Sequence, residues 1–209
     1  IQPMLEGIKL SGVFFTRDPS TGGHYYVINY DDNSDSIGTV TDGTGYQLKC
    51  FYQFKNSNVT GSPWISQLLK LGSELETLFD NDSLDVEFAL DSNDKLILLQ
   101  VRPLVLSQEK KAISYTSQEY VINEIIDRFN ALSCPHPYLL GSKSIFGVMP
   151  DWNPAEIIGI RPKPLSLSLY KELITDLIWS YQRDNYGYKN LRSFPLLISF
   201  GGLPYIDVR

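Results

Sequence analysis

Four side chains near the middle of the chain have the types and spacing to hold a phosphorylated ligand: Asp85 and Glu87, two positions apart, then Gln100 and Arg102, again two apart. Two carboxylates and an amide oxygen are hard donors of the kind magnesium takes while it keeps water and phosphate oxygens in its remaining positions. A guanidinium adds a planar fork that matches a phosphate. A solvated sheet face would carry the same residue types, so the pattern leaves both readings open.

The elements that must position these groups are two strands. LDVEFAL at 84 to 90 and KLILLQVR at 95 to 102 are β-branched and apolar runs around the turn formers Asp91-Ser92-Asn93-Asp94, and Pro103 ends the second. Alternation sends Leu84, Val86, Phe88 and Leu90 to one face, and Asp85, Glu87 and Ala89 to the other. In the second strand Lys95, Ile97, Leu99 and Val101 share a face, opposite Leu96, Leu98, Gln100 and Arg102. A loop of two or four residues would pair 90 with 95, 88 with 97, 86 with 99 and 85 with 100. That register predicts an apolar face of Val86, Phe88, Ile97 and Leu99, and gathers Asp85, Glu87, Gln100 and Arg102 on the other.

Around this hairpin the chain reads as strands at 7 to 16 and 24 to 30, separated by the turn cluster Arg17 to Gly23, and a hairpin from Ile37 to Phe54 through Asp42-Gly43-Thr44-Gly45. From Trp64 to Phe79 the residues Ile65, Leu68, Leu69, Leu71, Leu75, Leu78 and Phe79 recur at helical spacing, with Ser62 placed to cap and Pro63 to open the first turn. A second amphipathic helix is expected over 117 to 132, with Ser117 as cap and Tyr120, Val121, Ile125, Ile126, Phe129 and Leu132 inward. Residues 135 to 164 hold six of the twelve prolines and should be mainly irregular. A long helical pattern follows from Leu165 to Tyr186, then strands at Leu196 to Phe200 and Pro204 to Arg209 around Gly201-Gly202.

Composition narrows the classes. The 209 residues are 43% apolar and 20% charged, which excludes disorder, collagen and coiled coil. Eighteen basic against 24 acidic residues give a net charge of -6, which argues against nucleic-acid binding. No apolar run is long enough to span a membrane. Cys50 and Cys134 stand apart without CxxC spacing, which points to a reducing, cytoplasmic setting. His24 and His136 are the only histidines, too few for a His-rich metal site. The opening Ile-Gln-Pro-Met-Leu and the closing Tyr-Ile-Asp-Val-Arg read as a piece of a longer protein.

Leu84-Asp85-Val86-Glu87-Phe88-Ala89 followed by Leu99-Gln100-Val101-Arg102-Pro103 resembles the D-x-E-[FW]-A … L-Q-x-R-P signature that closes the nucleotide-binding domain of the phosphoenolpyruvate synthase and pyruvate phosphate dikinase family. Ser11-Gly12-Val13-Phe14-Phe15-Thr16-Arg17-Asp18-Pro19-Ser20-Thr21-Gly22 is similar to that domain's S-G-V-x-F-[TS]-x-[DN]-P-x-T-G element. Trp152-Asn153-Pro154-Ala155-Glu156, with Pro162-Lys163-Pro164-Leu165-Ser166-Leu167-Ser168, is similar to a linker of rifampicin-phosphotransferase-like members.

The resemblance implies an α+β fold: an ATP-grasp-type subdomain with a mainly antiparallel sheet over 1–105, a helical and Pro-rich linker over 106–164, and a mostly helical extension whose part 165–209 has no assigned role. It implies Mg and ATP as cofactors, Glu87 and Gln100 as metal ligands, Arg102 on the β and γ phosphates as the catalytic cation, and Asp85 as orienter or further ligand. The Arg17-Asp18-Pro19 loop is expected to be structural. Such families add a Lys and an Arg from an N-terminal ATP-grasp subdomain and a Gly-Gly-x-x-Ser-His phosphohistidine element, and neither is in this chain. The implied partners are therefore a nucleotide and those other domains of the same polypeptide. The implied function is part of an ATP-dependent phosphotransferase, inactive as an isolated chain. The alternative is a non-catalytic nucleotide-binding or regulatory module.

Overall fold

The computed structural model describes residues 7–32, 48–58, 61–111, 113–137, 140–147, 154–188 and 195–208, and the chain divides into two compact units, Ile1–Gln118 and Glu119–Arg209. The architecture is α+β with antiparallel sheets. Among the described residues no helix is long and apolar enough to cross a membrane.

The first unit is built on a five-stranded sheet. Strands β1 (Ile8–Phe15), β2 (Tyr25–Asp31), β3 (Lys49–Phe54), β4 (Leu84–Asp91) and β5 (Leu96–Pro103) lie in the order β3-β2-β1-β4-β5, every neighbour antiparallel. Helix α1 (Pro63–Phe79) covers one face. Its stripe of Ile65, Leu68, Leu69 and Leu75 packs on Leu10 and Phe14 of β1, Tyr26 and Ile28 of β2, and Leu84, Val86, Phe88 and Leu90 of β4. Phe14, Phe88 and Leu68 are wholly buried, and each such side chain contributes about 1.5–3 kcal/mol of transfer free energy.

Two glycines set how closely these layers approach. A Cβ on Gly72 of α1 would lie 2.5 Å from the Phe14 ring, and one on Gly12 of β1 would lie 2.5 Å from the Asn29 carbonyl and 2.9 Å from the Phe88 ring. The helix therefore rests directly on Phe14, and Phe88 crosses the bare backbone of β1.

Pro63 opens α1, as its spacing predicts, and Ser62 precedes it in extended backbone. Ser62 stops the chain through its carbonyl, which accepts from the Ile65 and Ser66 N–H groups, and not through its hydroxyl. The helix closes on Asp80 at φ 49, where the Asn81 N–H returns to the Glu76 carbonyl. Leu78 and Phe79 are exposed, because the last turn runs past the buried stripe. The first strand expected at Ile37 lies outside the described residues, and β3, within the second expected strand, pairs with β2. The unit ends with the short helix α2 (Gln108–Lys111) and the first residues of helix α3 (Tyr115–Leu132). The Gln118 N–H bonds to the Ser114 carbonyl, so α3 starts ahead of Ser117, which lies inside it and not at its cap.

Among its described residues the second unit is mostly helical, with a small sheet. Strands β6 (Phe146–Gly147), β7 (Leu197–Phe200) and β8 (Leu203–Asp207) form a sheet in the order β6-β8-β7. Gly201 and Gly202, at φ 57 and 84, form the two-residue turn between the last two. Helix α4 (Pro154–Ile158) is followed by one continuous helical rod, α5 (Pro164–Tyr170), a π-helical stretch (Lys171–Trp179) and α6 (Ser180–Asn185). Tyr170, Leu197 and Ile206 form its core, with Ile158, Leu167 and Ile174 against them. Asp176 Oδ1 ties the rod to β7 by accepting from the Leu196 N–H at 2.9 Å. The inward face expected of α3 is not buried: Tyr120, Val121, Ile126 and Phe129 are exposed and no residue of the helix is buried. At its start Tyr115 stacks on Phe54 at 5.5 Å, and further along Phe129 lies edge-on to Phe146 at 5.4 Å and tilted against Phe200 at 6.1 Å. A helix touching a small hairpin along one line leaves the rest of its apolar stripe uncovered. Of the segment resembling the Trp152 linker, residues 151–153 lie outside the described residues.

Candidate functional site

Strands β4 and β5 form the expected hairpin, but in a different register. Their Cα partners are Leu84↔Pro103, Asp85↔Arg102, Val86↔Val101 and Glu87↔Gln100, then, after a bulge, Phe88↔Leu98, Ala89↔Ile97 and Leu90↔Leu96. The pairings of 90 with 95, 88 with 97, 86 with 99 and 85 with 100 are therefore not formed.

The cause lies in the turn. The Asp91 N–H donates to the Lys95 carbonyl, and Asp91 Oδ1 accepts from the N–H groups of Asn93 and Lys95 at 2.9 Å each. Asp94 takes the left-handed conformation at φ 61. This is a three-residue loop with its last residue left-handed, a standard hairpin closure. An odd loop moves the register by one and would put Glu87 and Gln100 on opposite faces. The bulge adds one residue, Leu99, to β5 and restores the parity. Leu96, Leu98 and Val101 consequently pack on the core, where Ile97 and Leu99 were expected.

The four candidate residues thus share the sheet face away from α1, as two directly opposed pairs. Arg102 Nε donates to Asp85 Oδ2 at 2.8 Å. Glu87 stands opposite Gln100, and directly opposed side chains begin about 4.5–5.5 Å apart at Cβ, close enough to approach one cation. Asp85 is buried at 8% exposure, and its Oδ1 has no hydrogen-bond partner among the described residues. Glu87 is half-buried, while Gln100 and Arg102 are exposed. The hydrogen bond and charge of Asp85, with a smaller contribution from Glu87, push the Arg102 guanidinium's pKa above its ordinary value. The position of Asp85 is set from below: the Thr16 hydroxyl accepts from the Leu84 N–H at 2.8 Å and donates to the Asp82 carbonyl at 3.0 Å, which fixes the start of β4.

No group of three His, Cys, Asp or Glu side chains able to hold a metal exists among the described residues. Two carboxylates and an amide are an open donor set of the kind that leaves positions for phosphate and water. Ser11 lies on the same face, paired with Ala89, and its buried Oγ has no partner among the described residues. Alternation along β1 would have placed it there.

The loop between β1 and β2 is structural. Asp18 accepts from the Ser20 N–H at 2.9 Å and from the Thr21 hydroxyl, and its N–H bonds to the Gly23 carbonyl. Sequence reading missed what this loop grips. Arg17, at 5% exposure, donates through Nε to the Gly22 carbonyl at 2.7 Å, through Nη1 to Asp82 Oδ2 at 3.3 Å and through Nη2 to the Ile113 carbonyl at 3.1 Å. His24 Nε2 is 3.2 Å from Arg17 Nη2 and 3.0 Å from the Ile113 carbonyl, and the His24 backbone N–H donates to Gln118 Oε1 at 2.8 Å. A buried Arg–His pair thereby clamps residues 113–118. No local spacing signals it, since the acceptor is 96 positions from Arg17.

Burial raises the Asp82 carboxyl, but the Ser83 hydroxyl and the charges of Arg17, Lys55 and His24 outweigh it and hold its pKa below the ordinary value. His136 lies in irregular chain, and Cys50 and Cys134 are not joined in a disulfide. No protein-family model matches this chain, and no curated protein matches it either.

Proposed function

We propose that the chain supplies the phosphate-binding half of a Mg-ATP site in an ATP-dependent phosphotransferase of the phosphoenolpyruvate synthase and pyruvate phosphate dikinase type, its first unit being the ATP-grasp-type subdomain. The observation that carries this reading is the double opposition of Asp85 to Arg102 and Glu87 to Gln100 on one face, with a buried carboxylate oxygen left unpartnered. An orphaned buried carboxylate oxygen is costly unless a cation or donor reaches it, so the donor set fits a divalent ion.

Glu87 and Gln100 would hold that ion, with Asp85 as orienter or further ligand. Magnesium, when bound, neutralises charge spreading over the phosphate oxygens. Arg102 binds the β and γ phosphates through its fork and stabilises the transferring group. Neither His24 nor His136 sits in a Gly-Gly-x-x-Ser-His element, so the phosphoryl-accepting histidine comes from another domain of the same polypeptide, as do the opposing Lys and Arg. Two cysteines without CxxC spacing agree with a cytoplasmic setting.

The test is Arg102→Ala in the intact polypeptide, read as AMP release from ATP, with amide NMR spectra as the check of folding. Cleavage should be abolished with the fold retained. Full activity of that variant, or micromolar binding of Mg-ATP by the present chain alone, would overturn the assignment.

A further inference from the structure

Asp85 and Arg102 are the acidic and basic members of the proposed site and also each other's partner, and the two are unequal. The Arg102 side chain is 55% exposed and that of Asp85 only 10%. The carboxylate is therefore held in the sheet, and the guanidinium is the member free to move. Arg102 spends its Nε–H on Asp85 Oδ2, which takes one edge of the fork away from any phosphate. Asp85 Oδ1 meanwhile stays buried without a hydrogen bond among the described residues. Each residue is half-used.

A divalent cation on this face would change both. It would satisfy Oδ1, compete with the guanidinium for the carboxylate charge, and repel Arg102 from it. It would also cancel the two negative charges, Asp85 and Glu87, that a polyphosphate must otherwise approach.

Resting on the Mg-nucleotide reading above, we infer that Asp85 parks Arg102, and that ligation of a divalent cation by Asp85 and Glu87 releases the guanidinium to the phosphates. Cation and polyphosphate then bind cooperatively, with Asp85 as the coupling residue. The coupling is reciprocal: whatever factor the cation adds to phosphate affinity, phosphate adds to cation affinity. Asp85 acts here as a positioning residue through Arg102.

The experiment titrates inorganic tripolyphosphate into the chain with and without magnesium, following the Arg102 Nε–H resonance by 15N NMR. For the wild type, magnesium should raise tripolyphosphate affinity about tenfold, as a charge-assisted contact is gained, and should shift the Arg102 signal. Asp85→Asn should bind tripolyphosphate without magnesium about tenfold more tightly than the wild type and lose most of the magnesium enhancement. Glu87→Gln removes the same charge without freeing Arg102, so its magnesium-free gain should be clearly smaller.

Equal gains in both variants, or none in Asp85→Asn, overturn the parking while leaving the site standing. An Arg102 signal unmoved by magnesium with tripolyphosphate in the wild type overturns it without recourse to any variant. Absence of tripolyphosphate binding by the wild type even with magnesium overturns the site and the parking together.

Discussion

Glu87 and Gln100 face each other across β4 and β5 because two offsets cancel: the three-residue turn moves the register by one and the extra residue Leu99 moves it by one more. Either device alone would send Gln100 and Arg102 to the core face. Together they leave a polar face and an apolar face, each unmixed.

Arg102→Lys keeps the charge but loses the planar fork. In the intact polypeptide it should retain part of the phosphate affinity and fall well short of the wild-type cleavage rate, lying between wild type and Arg102→Ala. Steady-state kinetics on ATP at fixed magnesium checks the order. A lysine variant equal to wild type would show that Arg102 acts as a point charge only.

Gly72→Ala should destabilise the first unit by about 1–3 kcal/mol, because the new methyl meets the Phe14 ring inside a filled core. Helix propensity alone predicts the opposite sign, a gain of about 1 kcal/mol. Urea unfolding decides between packing and propensity.

Thr16→Val conserves shape and removes the hydroxyl that serves both the Leu84 N–H and the Asp82 carbonyl. With Thr16 fully buried, stranding these groups should cost about 1–3 kcal/mol. Loosening the start of β4 should also weaken the hold of Asp85 on Arg102, visible as faster exchange of the Arg102 Nε–H.

Asp82 gives a pH dependence of known sign. Its folded pKa lies below the ordinary value, so the unfolded chain takes up the proton first on acidification. Its contribution is fully present above the unfolded value of about 3.9 and is lost as pH falls from there through the lower folded value. Asp82→Asn should therefore flatten the stability profile below about pH 4 and leave its shape above pH 5 unchanged. Thermal unfolding across that range measures it.

The sequence by itself determined β1 to β5 with β7 and β8, though not β6, together with α1 with Pro63 at its head, and the pairing of Asp85 with Glu87 and of Gln100 with Arg102 on their own strands. These follow from local rules, since alternation and helical spacing need only a few neighbouring residues. It also carried the pattern on which the Mg-ATP reading rests. Only the tertiary structure decided which residue faces which. The spacing of Asp91 to Lys95 permits loops of two, three or four residues, and the choice depends on how Asp91 and Asp94 settle. Leu99 could be read as a bulge only once β4 lay beside it. Leu96 and Leu98 joined the core for the same reason, and Ile97 left it. The exposed face of α3 was equally hidden, because an apolar stripe states what a helix could bury and not whether a neighbour is there to cover it. Arg17 and His24 reach Ile113 across some ninety residues, and no local pattern encodes a contact that exists only after the sheet has brought those segments together.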